Sequence, residues 1–165
     1  MRREAEVEFD WWYRSTYARV ARVVYLIIQD RGRAEEIAQD AFLQMLRRWD
    51  TVSGYEQPDA WVRRVAIRIA VRQAKRESRR SALERLATAT VPDPGFINRL
   101  DLMAAIATLS PMQRAAVVLH YWGDQPVHDI ARTLAVSEST VKQHLFRARG
   151  RLAEMLGEEV GEDVG

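Results

Sequence analysis

Residues 127–149 read VHDIARTLAVSESTVKQHLFRAR, and local signals divide this run into three parts. Val127, Ile130, Ala131 and Leu134 recur at helical spacing, Ala135-Val136-Ser137 interrupts them, and Ser137 is placed to cap a second helix running from Glu138 to about Met155. A short helix, a tight turn and a longer basic helix predict a helix-turn-helix, whose second helix lies in the major groove of DNA. Rotation by about 100° per residue sorts that second helix. Val141, Leu145, Ala148 and Leu152 fall on one side as core, and Ser139, Lys142, Gln143, Phe146 and Arg147 fall on the other. Amide and cationic groups there suit base edges and phosphates, and the Phe146 ring suits a thymine methyl, although the same ring would also pack on a neighbouring helix.

Upstream, Ser110-Pro111-Met112-Gln113 places Ser as N-cap, Pro at the first helical position and Gln at the third, predicting a capping box and a helix to about Trp122 before a Gly123-Asp124 turn. Ile97, Leu100, Ala104 and Ala107 mark a further helix ending near Leu109. Before these, Val91-Pro92-Asp93-Pro94-Gly95 cannot continue a helix, and periodicity fades after Arg80, so residues 81–95 read as a flexible linker. Fully extended, such a linker reaches roughly 50 Å at ~3.3–3.6 Å per residue. That exceeds a turn of DNA, ~34–36 Å, so two domains joined by it would occupy separate sites.

In the first half, Phe9, Tyr13, Tyr17, Val20, Val24 and Ile28 line one side of a helix over residues 7–28. Asp30-Arg31-Gly32 breaks it. Ala34, Ile37, Ala38, Ala41, Phe42, Met45, Leu46 and Trp49 carry a second helix, with Glu35 and Glu36 in its first turn and Arg47 and Arg48 in its last, as the helix dipole favours. Thr51 to Gln57 read as a loop and Pro58 as a first helical residue. Trp61, Val65 and Ile69 then form the apolar stripe of a third helix.

The fold class that follows is all-α, with two small helical domains joined by a flexible linker. The expected division is 1–80, the linker 81–95, 96–156, and an acidic tail 157–165. Gly and Pro make only 13 of 165 positions, which suits a helical chain. Charge is divided as well. The net charge is +2, but five of the 23 acids lie from Glu154 onward without a base, so residues 1–153 carry +7. Eight Lys and Arg fall within residues 63–80 beside one acid, Glu77, and Lys142, Arg147, Arg149 and Arg151 form a second cluster. Two basic segments point to a polyanion, most simply nucleic acid, because each phosphate neutralised releases a counterion; a solvated helix face would carry the same charges. The tail reads as a solvated end.

Several classes are excluded. Without cysteine there is no disulfide framework, thiolate metal site or cysteine nucleophile. His120, His128 and His144 lack ligand-like spacing, no phosphate-cradling glycine pattern occurs, and no serine sits in a nucleophile elbow. No metal, cofactor or catalysis is expected. The longest apolar run, Val23 to Ile28, is six residues against the ~20 that span a bilayer, so no membrane insertion and a cytoplasmic location are expected.

Leu109-Ser110-Pro111-Met112-Gln113-Arg114, Asp129-Ile130-Ala131 and Val136 through Arg149 together resemble region 4 of the bacterial sigma factors. Ala34 through Leu43 resembles region 2.2, and Ala60-Trp61-Val62-Arg63-Arg64-Val65-Ala66 resembles the helix that follows it. Order, length and the missing middle region are similar to the extracytoplasmic-function group, over about residues 6–153. The resemblance implies a non-enzymatic promoter-specificity subunit. Its first domain would dock on the β′ clamp helices of core RNA polymerase, with Asp40, Gln44 and Arg47 as contacts, and the β flap would be a second polymerase contact. Tyr55, Trp61, Arg64 and Arg68 would capture the minus-10 element. An unstacked base needs a π face or apolar wall and its backbone needs cations. Trp61 also continues the apolar stripe and reads equally as core. Arg68 stands where the family often has Asn, which implies backbone contact. Ser139, Lys142, Gln143, His144, Phe146 and Arg147 would face the minus-35 element. An anti-sigma protein is a further partner that the resemblance implies. Leu46 occupies a position where Trp is frequent, and Ala135 replaces a common turn Gly.

A stand-alone helix-turn-helix repressor or activator would use the same C-terminal half, usually as a dimer on a two-fold operator. The first half, with its polymerase-binding and strand-opening motifs, discriminates against it. A helical adaptor that binds only proteins would leave both basic clusters unexplained.

Overall fold

A computed structural model describes residues 2–85 and 99–157, which form eight helices and no strand among the described residues. In chain order these are α1 (Arg3–Ile28), α2 (Arg31–Arg47), α3 (Trp49–Val52), α4 (Pro58–Arg85), α5 (Arg99–Thr108), α6 (Pro111–Tyr121), α7 (Val127–Leu134) and α8 (Glu138–Leu156). The chain divides into two compact units, Met1–Arg72 and Gln73–Gly165. Their boundary falls within α4.

In the first unit α1 and α2 pack along their apolar stripes. Val20, Val24 and Ile27 of α1 and Ile37, Ala38, Ala41, Phe42 and Met45 of α2 are buried. Tyr13 meets Phe42 edge-on at 5.1 Å, and Phe9 meets Trp49 edge-on at 5.5 Å, arrangements that suit the aromatic quadrupole. Gln29 closes α1 in the left-handed region and Asp30 opens α2 at once, its carboxylate accepting the Arg33 N–H at 3.0 Å. Because Asp30 is a cap, α2 begins at Arg31 and includes Gly32, so Glu35 and Glu36 lie beyond its first turn, not in it. The expected loop 51–57 is likewise shorter. Trp49 and Val52 are buried and hold one helical turn, α3, through Val52.

α4 starts at Pro58, as its sequence predicts, and corrects two expectations. Beyond Pro58, its buried positions among those described are Val62, Ala66, Ile67, Ala70, Val71 and Ala74, whereas Trp61, Val65 and Ile69 are half-buried. Two stripes one residue apart both have helical spacing, and packing selects the alanine-rich one. The helix also runs to Arg85, five residues into the expected linker. Ser81-Ala82-Leu83-Glu84-Arg85 contains neither Gly nor Pro, and loss of amphipathic periodicity does not stop a helix as a breaker does. The rest of that linker, the start of the next predicted helix at Ile97, and the tail from Glu158 lie outside the described residues.

In the second unit α8 packs against α5, α6 and α7 over Ile106, Leu109, Leu119, Ile130, Val141, Leu145 and Ala148. The capping box is present: the Gln113 N–H donates to Ser110 Oγ at 3.3 Å, and the Ser110 N–H to Gln113 Oε1 at 3.4 Å. Arg114, next along, turns back to donate to the carbonyls of Ile106 (3.1 Å), Ala107 (2.7 Å) and Leu109 (3.2 Å), closing the end of α5, which has no base in its own last turn. Burial pulls this guanidinium below its ordinary pKa. At the turn after α6 a Cβ on Gly123 would stand 2.8 Å from the Leu119 carbonyl oxygen, so only glycine fits.

Ala135, the C-cap of α7, lies at φ 56°, ψ 46°. A left-handed conformation costs a side-chain-bearing residue ~1–2 kcal/mol, and the freedom of glycine in the unfolded chain takes back ~0.4–1. Ala135→Gly is therefore expected to stabilise the second unit by about 0.5–1 kcal/mol, read as a rise in Tm of roughly 2–4 °C. A fall in Tm would mean that the exposed methyl makes contacts that outweigh the strain.

Candidate nucleic-acid interface

The helix-turn-helix is fixed by its turn. Ser137 accepts the Thr140 N–H at 3.1 Å and so starts α8, while the Val136 N–H reaches back to the Ala131 carbonyl at 3.1 Å. Gln125 and Thr133 form a buried polar pair at 3.5 Å across α7. Two polar residues eight apart give no sequence signal, so this contact emerges only from the packing.

α8 then sorts as its rotation requires. Val141, Leu145 and Ala148 are buried. Ser139, Lys142, Gln143, Phe146 and Arg147 are exposed on the opposite side, Phe146 at 78%. An aromatic so exposed is not helping to fill this unit's core. His144 does not share this side. It is half-buried on the flank, and burial first, then the Arg147 charge, lowers its pKa, so near neutral pH it is an uncharged imidazole. Helical rotation assigns it to neither side, and only the resemblance groups it with the outward residues. Arg149 and Arg151 are tied to adjacent helices: Arg149 Nε donates to the Tyr121 hydroxyl at 2.9 Å, with its guanidinium 5.8 Å from that ring's centre, and Arg151 Nε lies 3.4 Å from Thr108 Oγ1. The Tyr121 contact was not foreseen, because it joins residues 28 apart.

In the first unit Tyr55 is exposed at 45% in the loop before α4. Trp61, Arg64 and Arg68 follow at helical spacing on the side of α4 away from buried Val62, Ala66 and Ala70, with Trp61 and Arg64 half-buried and Arg68 exposed. The π face and the cations are thereby grouped, and Trp61 is not fully buried core. Asp40, Gln44 and Arg47 are all exposed and share one face of α2. Leu43 lies on that same face and is 48% exposed, beside a shallow groove of about 240 Å³ lined by Phe9, Tyr13, Phe42 and Leu46. The sequence reading missed it; the available signal was an apolar residue three after Asp40 and four before Arg47, inside a polar stripe.

Among the described residues no group of three His, Cys, Asp or Glu is placed to hold a metal ion, and no helix is long and apolar enough to cross a membrane.

Two family models match the chain, Sigma-70 region 2 over residues 12–80 and Sigma-70, region 4 over residues 99–152. The RNA polymerase sigma-E factor of Streptomyces avermitilis is 31% identical, over 91% of this chain and 86% of its own length. The ECF RNA polymerase sigma factor SigK of Mycobacterium ulcerans is 30% identical, over 83% of this chain and 79% of its own length. Among solved structures, the sigma factor RpoE in complex with the anti-sigma factor NepR from Bartonella quintana matches in fold, with a TM-score of 0.70 and 21% identity over 90% of this chain and 96% of that one.

Proposed function

The chain belongs to the extracytoplasmic-function group of the bacterial sigma-70 family, and from that premise we infer how its exposed surfaces divide the work of a promoter-specificity subunit. The subunit binds core RNA polymerase and directs initiation at minus-10 and minus-35 elements. It supplies recognition while the polymerase performs the synthesis, in the cytoplasm.

We assign residues 1–80 to polymerase binding and minus-10 capture, and residues 96–156 to minus-35 recognition. Asp40, Gln44 and Arg47 contact the β′ clamp helices, with Leu43 as the apolar centre of that contact. Tyr55 and Trp61 offer surfaces on which an unstacked base rests, and Arg64 and Arg68 neutralise the adjacent backbone. Lys142, Gln143, Phe146 and Arg147 meet the minus-35 bases and Ser139 lies at the edge of the same surface; His144 contributes from the flank as a neutral group. The β flap is the second polymerase contact. An anti-sigma protein, of the kind that the Bartonella relative is bound to, is a further partner.

The observation that carries this reading is the pairing, in one chain, of an exposed α2 face within the region 2 match and an exposed α8 face within the region 4 match. A stand-alone operator-binding protein would leave the first without a use. The test is transcription: purified chain added to core polymerase on promoter DNA is expected to give transcripts with one defined start, which core polymerase alone does not give. Absence of such transcripts across promoters bound by the protein would overturn the reading.

A further inference from the structure

The interior of α8 holds a glycine that the fold of this chain does not need. An interior helical glycine costs ~1 kcal/mol relative to alanine. Gly150 has no left-handed backbone to justify that cost, and a methyl group built on it meets no atom within 4 Å. It is exposed, one turn beyond Phe146 and Arg147 and on the same side of the helix. Since no atom of the described residues approaches the place of its Cβ, we read that space as kept for something outside the described fold.

The surroundings of Gly150 indicate the chemistry. It floors a shallow depression of about 570 Å³ with Arg147, Arg149 and Arg151 around it. Two of those guanidiniums are anchored away from the centre, Arg149 on Tyr121 of α6 and Arg151 on Thr108 of α5, so the middle stays open. Glu154, one turn further along, also lines it and puts a negative charge at that end. A cationic trough with a bare backbone floor suits a strand of sugar-phosphate that must approach the helix closely; a carboxylate at its end repels the next phosphate and limits how far the strand extends.

We propose that Gly150 is a seat for the phosphate backbone of duplex DNA, placed beside the bases that Lys142, Gln143 and Arg147 meet. The seat rests on the reading that α8 faces promoter DNA. Without a Cβ, the backbone of the duplex comes closer to α8 by the thickness of a side chain, and that brings its phosphates into range of the flanking arginines. Such a contact fixes the depth and angle of the helix and carries no sequence information of its own.

The test depends on two effects of opposite sign. Gly150→Ala is expected to raise the Tm of the full chain, because the helix gains, and to weaken binding of the assembled polymerase holoenzyme to promoter DNA by about tenfold at fixed salt. The same factor is expected on a duplex whose minus-35 sequence has been scrambled. Glu154→Gln is expected to tighten binding to both duplexes. Promoter affinity unchanged or improved in Gly150→Ala, with the higher Tm, overturns the seat while leaving the sigma-factor reading intact. Weaker assembly with core polymerase as the sole defect overturns it in favour of a polymerase surface. A wild-type chain that yields no polymerase-dependent transcript brings down the parent reading, and this inference with it.

Discussion

Replacing Arg114 with Met is expected to cost the C-terminal helical unit about 3 kcal/mol, because hydrogen bonds from a charged donor contribute ~1.5–3 kcal/mol each. Arg114 donates to three carbonyls at the end of α5, those of Ile106, Ala107 and Leu109. The last carbonyls of a helix have no partners within it, and here a side chain from the next helix supplies them. Methionine retains much of the apolar stem and removes the planar fork, so the loss reports the hydrogen bonds. Lysine keeps the charge but offers a point donor in place of the fork, and is expected to recover part of the stability. Urea unfolding of the full chain, followed by circular dichroism, measures both variants. A loss below about 1 kcal/mol for Arg114→Met would mean that water satisfies these carbonyls equally well.

Arg147→Ala is expected to weaken promoter binding by tenfold or more, since a good bidentate contact to a base edge is worth ~1–3 kcal/mol. Arg151→Ala is expected to cost about threefold, as the loss of one phosphate-directed cation. The contrast follows from position. Arg147 is exposed on the side of α8 that carries Gln143 and Phe146, whereas Arg151, one turn further along and about 40° round the helix toward its flank, leans on Thr108 Oγ1. Measured side by side on one promoter and at one salt concentration, the two variants test the division of α8 into a base-meeting side and a flank. Equal losses would dissolve it. Scrambling the minus-35 sequence is expected to remove most of the penalty of Arg147→Ala and little of that of Arg151→Ala, because phosphate contacts are indifferent to sequence.

Much of this architecture was written in local chemistry. The Ser110-Gln113 box, Pro58 at the head of α4, Ser137 at the head of α8 and the buried set Val141, Leu145 and Ala148 each depend on neighbours within a few residues, and each is found where its sequence places it. The exposed set on α8 was legible for the same reason: one buried side of a helix defines the other. His144 was harder to place, since its angle around α8 falls between the two sets, and only the packing of neighbouring side chains decides that it is half-buried and uncharged. Leu43 escaped because it falls outside the apolar stripe of α2, where a lone leucine among polar residues carries no periodic signal, and its exposure becomes visible only when the partner helices fail to cover it.

The sequence by itself determined the helices other than α3, their order, the turn chemistry between α7 and α8, and the family, because caps, breakers and spacings of three and four act over one or two turns of backbone. Tertiary structure alone decided which of two adjacent stripes on α4 is buried, that Arg114 closes α5, that Arg149 rests on Tyr121, and that none of the described residues fills the space above Gly150. Those are contacts between residues on different helices or faces left uncovered by every other described element. No local pattern encodes them, since their energy exists only once the helices have been brought together.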